Sequence, residues 1–258
     1  LKLFFARDYL PAQKRQRLLF SLGTGLCLTP TVFDENENPL NSLISSKLNL
    51  LLSIALDYEL ALGKDISLLV GIGIDHFSNA ATKFPNTGIN IPHAKAGLSY
   101  TLQKKAISGG DMLNTPFDKS GYFFPILTLA RKSAGRQFDD NDWAYSLILQ
   151  YVRRYSPRHA MIVSMDYMYN NTIRKIRNDP QAVQSRIGLA AGWQLEFGRT
   201  AFFMQLGYYL YRPVDVDESL YHRIGLKQQI YRNLYLTSFL KSHYFRADVW
   251  EWGLALKI

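Results

Sequence analysis

The sequence predicts an all-β protein, an antiparallel transmembrane β-barrel of about 12 strands, and three observations carry that expectation. Apolar residues make up 47% of the 258 and aromatic residues 14%, with 16 Tyr and 15 Phe, yet the mean hydropathy is close to neutral at -0.12. No uninterrupted apolar run reaches the roughly 18 residues that a membrane-spanning helix needs. Instead, apolar residues recur at every second position through most of the chain, the period of a strand whose two faces meet different surroundings. A wall between lipid and a polar interior explains that alternation in strand after strand.

Taken in order, residues 1–16 carry mixed charge from Lys2, Arg7, Asp8, Lys14 and Arg15 without a clean period. They read as a leading periplasmic segment, and 17–258 as the outer-membrane barrel. Leu18, Phe20, Leu22, Leu26 and Leu28 share a face opposite Ser21, Gly23, Gly25 and Cys27, and Pro30 with the polar run Asp34 to Pro39 ends that strand. The next alternation runs from Lys47 to Leu60 and turns at Gly63-Lys64-Asp65 into the strand Ser67 to Asn79. A loop through Asn86-Thr87-Gly88 leads back along Ala94, Ala96, Leu98, Tyr100 and Leu102, and a long connection, Lys104 to Ser120, follows.

In the second half, Tyr122 to Arg131 is a strand whose face is ambiguous at Pro125. Trp143 to Tyr151 and Met161 to Tyr169 flank a turn at Ser156-Pro157-Arg158, and a basic loop with Arg174, Lys175 and Arg177 follows. Ile187 to Phe197 and Phe202 to Leu210 meet at Gly198-Arg199, and Leu220 to Tyr231 and Leu234 to Tyr244 at Arg232-Asn233. The last strand sets Trp250, Trp252, Leu254, Leu256 and Ile258 against Glu251, Gly253, Ala255 and Lys257. Counted this way, the motif strand is the third and runs outward, with its end near the outer-leaflet interface. The chain starts at Leu1 without Met, as a processed or trimmed chain would, and ends on an apolar residue within a strand, as bacterial outer-membrane barrels commonly do. An integral place in a bacterial outer membrane is the expectation.

The formal charge of +9 and pI near 9.5 suit an anionic lipid better than nucleic acid. The basic residues are scattered through the alternation rather than gathered on a helix or an aromatic sheet motif. The single cysteine, Cys27, has no disulfide partner and no metal-ligand spacing. His93, His159, His222 and His243 likewise show no ligand spacing and read as structural or solvated. The acidic loops Asp139-Asp140-Asn141-Asp142 and Asp215 to Glu218 offer oxygens for calcium without an ordered ligand pattern, so no cofactor is expected. Charged residues on the interior rows, among them Asp57, Lys95, Arg154, Asp166, Arg186, Glu196, Arg223, Lys227 and Glu251, read as a mutually neutralising plug.

One stretch names a chemistry. In Ser67 to Asn90, Leu68, Val70, Ile72 and Ile74 share one strand face, and His76 and Ser78 continue that row. A hydroxyl and an imidazole two residues apart on one face lie within hydrogen-bonding reach, the minimum for a base to activate a serine. The row is the apolar one, where an ester of a membrane lipid would lie. Asp75 points to the opposite face and reads as an interior residue.

His76-Phe77-Ser78-Asn79-Ala80, followed by Pro85-Asn86 and Gly88, resembles the motif of the lipid A 3-O-deacylase and acyloxyacyl-hydrolase-like outer-membrane barrels. That resemblance implies Ser78 as nucleophile, His76 as its base and Asn79 at the oxyanion hole. Where that family has a glutamate this chain has Asn90. Outer-membrane phospholipase A, a twelve-stranded barrel, is similar in using a His-x-Ser-Asn motif with a later asparagine orienting the histidine, and Asn90 fits that role by spacing. Chain length favours the phospholipase plan, and Pro-Asn-x-Gly favours the deacylase plan.

Two functions follow as expectations. The first is a serine acyl-ester hydrolase of the outer membrane acting on lipid A or a glycerophospholipid, with catalytic Ser78, His76 and Asn90 and with Asn79 at the oxyanion. The second is a catalytically lapsed barrel serving as a structural subunit of an outer-membrane assembly, motivated by Asn90, the long leading segment and the Lys104 to Ser120 connection; the partners expected are lipid A or phospholipid and, for the protein, a homodimer or an outer-membrane protein complex.

Overall fold

The computed structural model describes residues 2–8, 15–100, 117–135, 141–244 and 246–258. They are mostly strand with one short helix, and they fall into two compact units, Leu1–Asn79 with Pro85–Gly110, and Ala80–Phe84 with Asp111–Ile258. The first unit is a five-stranded antiparallel sheet in the order β1 (Lys2–Asp8), β2 (Gln16–Leu28), β3 (Leu48–Ala61), β4 (Ile66–Ser78) and β5 (Ile89–Tyr100). Residues 2–8 of the leading segment thus form β1, paired with β2 from Lys2↔Gly25 to Asp8↔Leu19. The connection 101–116 lies outside the described residues.

The second unit is a closed barrel of eight strands. They are β6 (Gly121–Ser133), β7 (Asn141–Arg154), β8 (His159–Asn170), β9 (Ser185–Phe197), β10 (Thr200–Tyr211), β11 (Leu220–Tyr231), β12 (Leu234–His243) and β13 (Arg246–Leu256). Each strand pairs with its sequence neighbour, and β13 closes on β6 through Trp252↔Leu129 to Ala255↔Ile126. Pro125, whose ring nitrogen cannot donate, sits one residue beyond the end of that seam. There the ladder breaks before resuming at Phe123 and Ile258, which exchange hydrogen bonds of 3.1 and 2.9 Å. The basic loop after β8 contains one short helix, α1 (Thr172–Arg177), docked by its buried Thr172 and Ile173.

The expected alternation is present in both units. Along β7, Trp143, Tyr145, Leu147, Leu149 and Tyr151 are exposed on the outer face while Ser146, Ile148, Gln150 and Val152 are buried on the inner one. The outer wall is apolar with aromatic residues at its two ends, as a lipid-facing band requires. The barrel interior is layered. One part is ionic: Arg223 bonds Asp166 and, at 3.4 Å, Glu251, which also accepts from Thr128 at 2.9 Å. Lys227 donates to Gln150 at 2.6 Å and Gln194 at 2.7 Å and lies 4.3 Å from the centre of the Phe124 ring. The other part is apolar, built on Phe124, Ile126, Ile148, Val152, Ile162 and Phe239. The expected polar interior with its neutralising charges therefore fills one part of the barrel, and an apolar cluster the other.

The strand count needs correcting. All twelve expected strands exist, but eight close into a barrel rather than about 12, and β1 makes the motif strand the fourth of its own sheet. A reading of strand direction from odd and even numbering loses its footing with that extra strand. The physical reason is that alternation reports which face each strand turns to lipid, not which strand it pairs with. A single twelve-strand barrel and a five-strand sheet with a separate eight-strand barrel share most of their local hairpins, and differ in which distant strands close on one another.

Candidate functional site

The site is built in the first unit, at the end of β4. Ser78 is the last residue of that strand and His76 stands two residues before it on the same face. Register supplies the third group: His76 is directly opposite Asn90, the second residue of β5. The His76 Nδ1 to Asn90 Oδ1 distance is 2.8 Å and the His76 Nε2 to Ser78 Oγ distance 3.1 Å. The proton inventory then sets the tautomer. Asn90 Oδ1 can only accept, so Nδ1 carries the ring proton and the Nε2 lone pair faces the Ser78 hydroxyl. The structure thus brings Ser78, His76 and Asn90 into one hydrogen-bonded chain.

Asn79 follows Ser78 directly. It is buried, its Nδ2 donates to Ser45 Oγ at 3.1 Å, and its backbone N–H donates to Asn86 Oδ1 at 3.1 Å. Both donors are engaged by protein groups in this structure. The chain then bends sharply, with Ala80 and Ala81 both left-handed at φ 53° and 62°. Non-glycine residues adopt that conformation at a cost of about 1–3 kcal/mol each, a strain that collects at functional turns.

Residues that sequence reasoning missed hold this turn in place. Thr87 donates from its backbone N–H at 3.3 Å and from its hydroxyl at 3.0 Å to the Ser42 carbonyl, and Gly88 N–H donates to the Leu43 carbonyl at 3.0 Å. With Ser45 on Asn79, the β2–β3 connection thus clasps the 79–88 loop at three points. Only Pro-Asn-x-Gly hinted at this. Ser42 and Ser45 lie more than thirty residues upstream with no pattern to mark them.

Next to the His76 and Asn90 pair, on the same face, come Ile74 and Pro92, then Ile72 and Ala94. These residues with Phe20, Ile54 and Leu56 line a shallow apolar hollow of about 650 Å³. Asp57 and Lys95, 2.9 Å apart, lie on the opposite face, but in the open sheet rather than inside the closed barrel, with Asp57 buried and Lys95 exposed. Among the described residues one group has metal-ligand spacing, Asp217, His243 and Asp248 in the second unit. Its carboxylates are already held by cations, Asp248 by Lys132 and Lys241 and Asp217 by Arg186. Asp215 pairs with Arg212 and Asp142 with Lys175, while Asp139 and Asp140 lie outside the described residues.

A β-sheet wall that is apolar on one face and carries a hydrogen-bonded serine, histidine and asparagine at its end has the groups that the class of ester hydrolases uses. The comparisons agree with that class. A family model described as lipid A 3-O-deacylase (PagL) matches residues 2–117, and one described as acyloxyacyl hydrolase, C-terminal domain, matches residues 122–258. The chain belongs to this lipid A 3-O-deacylase and acyloxyacyl hydrolase family, a family of ester hydrolases, and the likeness extends well beyond the motif. No curated protein matches the chain. Among solved structures, a chain titled "De novo design of transmembrane beta-barrels" is similar at 12% identity and a TM-score of 0.37, covering 55% of this chain and 98% of that one. A likeness of that size bears on neither site nor activity.

Proposed function

We propose that this protein is an integral outer-membrane hydrolase that removes an ester-linked acyl chain from lipid A, with Ser78 as nucleophile. The observation that carries the reading is the Ser78–His76–Asn90 chain of hydrogen bonds on the apolar face of the sheet. Ser78 Oγ attacks the ester carbonyl and gives its proton to His76 Nε2. The tetrahedral intermediate collapses as His76 returns that proton to the departing sugar oxygen, leaving an acyl-serine. A water then gives a proton to His76 and attacks the acyl-serine, and the fatty acid leaves as Ser78 recovers its proton.

Asn90 holds the imidazole in the tautomer that this sequence needs, while supplying less charge to the imidazolium than a carboxylate would. In this reading Asn79 Nδ2 exchanges Ser45 Oγ for the developing oxyanion. The hollow beside His76 offers apolar support to the acyl chain, in keeping with a substrate whose chains lie along the wall. Family membership favours lipid A over glycerophospholipid as the substrate.

The test is incubation of the purified protein with lipid A and, separately, with phospholipid in mixed micelles, with released fatty acid read by mass spectrometry. Fatty acid from lipid A, lost in Ser78→Ala, is the expected result. Release from phospholipid alone would move the substrate to a glycerophospholipid. Release from neither would favour a barrel that keeps the site as a relic and serves as a structural subunit.

A further inference from the structure

The apolar surface of the first unit does not stop at the nucleophile. Cross-strand register places Leu26, Leu50 and Ser78 on one line and Leu28 opposite Leu48 one step beyond, on the same face and nearer the β2–β3 hairpin end. Leu50 is buried, but Leu28 and Leu48 are exposed, at 77% and 52%. In the connection itself Leu40 is 94% exposed and Leu43 also faces outward. A hairpin end surrounded by water would carry polar residues here. This one extends the lipid-facing row past Ser78.

The exposure is built in. Within the connection, Thr29 N–H donates to the Lys47 carbonyl and Phe33 N–H to the Ile44 carbonyl, each at 2.8 Å. Asn38 Nδ2 donates to the Val32 carbonyl at 2.9 Å, Asn41 Oδ1 accepts from Leu43 N–H at 3.2 Å, and Ile44 is buried as an anchor. The two limbs differ in chemistry. Asp34, Glu35 and Glu37 occupy one, and Pro39, Leu40 and Leu43 the other. The second limb also carries Ser42, Leu43 and Ser45, the residues that clasp the loop after Ser78.

We propose that the leucine limb of the β2–β3 hairpin is the surface by which the protein engages the acyl chains of an aggregated lipid, delivering them beside Ser78, while the acidic limb stays in water. The occupant is the acyl-chain layer of the outer leaflet, because the limb continues the same apolar row that faces lipid along β3 and β4. The role in delivery rests on the hydrolase reading above. The contact with lipid does not.

Two measurements test it on the full chain. In a Cys27→Ser background, Leu40→Cys and Glu37→Cys are each labelled with an environment-sensitive fluorophore and reconstituted in phosphatidylcholine vesicles containing lipid A and a spin label on the acyl chain. The label at 40 should emit to the blue of the label at 37 and be quenched several-fold more by the spin label. Equal emission and quenching at both positions overturns the proposal, whatever the protein hydrolyses. In the second measurement, Leu40→Asp with Leu48→Asp, neither of which holds the site loop, should raise about tenfold the mole fraction of lipid A needed for half-maximal hydrolysis, with kcat kept. A fall in kcat at saturating lipid, without that shift, shows that the limb acts only by holding the site loop, and it too overturns the proposal. If the unmutated protein releases no fatty acid, the hydrolase reading fails while the labelling still decides the surface.

Discussion

His76 occupies the place where a side chain at residue 88 would go. A Cβ built on Gly88 would lie 2.8 Å from His76 Cε1 and 3.4 Å from Nε2, and the residue has φ +80°. Two reasons for glycine are therefore superposed, and substitutions separate them. Asparagine adopts a left-handed backbone more readily than alanine, but both bring a Cβ against the ring. Gly88→Ala and Gly88→Asn are both expected to lower kcat about 10²-fold, the scale of a catalytic group displaced by an ångström. Gly97→Ala, where a Cβ meets nothing within 4 Å, serves as the control. An active Gly88→Asn would show that backbone conformation, not the space given to His76, is what the glycine serves. Asn90→Ala removes the acceptor at Nδ1 and is expected to cost about 10²-fold or more in turnover with the sheet still folded, since the residue adds little to packing. Full activity of Asn90→Ala alongside a dead Ser78→Ala would assign the orienting role elsewhere.

Among the connections between strands, the one from β10 to β11 has an electrostatic latch. Burial and the neighbouring Asp248 push the Asp217 carboxyl upward, but Lys132 and Arg186 outweigh them and hold it below its usual value. A carboxylate with a depressed folded value stabilises the fold above the ordinary aspartate range, and that contribution is lost as pH falls through the folded value. Residues 212–219 should therefore stay closed at neutral pH and open as the medium becomes acid, seen as faster hydrogen exchange in that connection. Asp217→Asn should open it already at neutral pH and flatten the response between pH 7 and the acid limit. Equal exchange in the two proteins at neutral pH would remove Asp217 from the latch.

At the scale of the molecule, the closed barrel is filled rather than hollow, as its eight strands require. Its central ionic group is Arg223 with Asp166 and Glu251, all fully or almost fully buried. Removing one member of such a group strands a charge without water. Arg223→Met alone is expected to cost about 3–5 kcal/mol, whereas replacing the group together by apolar residues of similar volume should cost much less. Unfolding of the detergent-solubilised barrel by heat or guanidinium reads this directly. A triple variant as unstable as the single one would show that the ions set the packing of the interior and do more than neutralise each other.

Much of this protein is written in its sequence, because strand alternation depends only on what each face meets. The boundaries of β2, β3, β4 and β9, the apolar outer rows, and the place of Ser78 and His76 on one of them all follow from a period of two. Even Asn90 could be nominated by spacing. Which strands close on which could not be read. The ladder of β13 with β6 joins residues more than a hundred positions apart, and alternation looks the same whichever partner a strand finds. For the same reason Ser42 and Ser45 were silent as parts of the site: the hydrogen bonds they accept from the loop make no demand on the residues around them. Facing Asn90 to His76 across one rung was decided by register alone, and a slip of one residue would have turned Asn90 to the other side of the sheet.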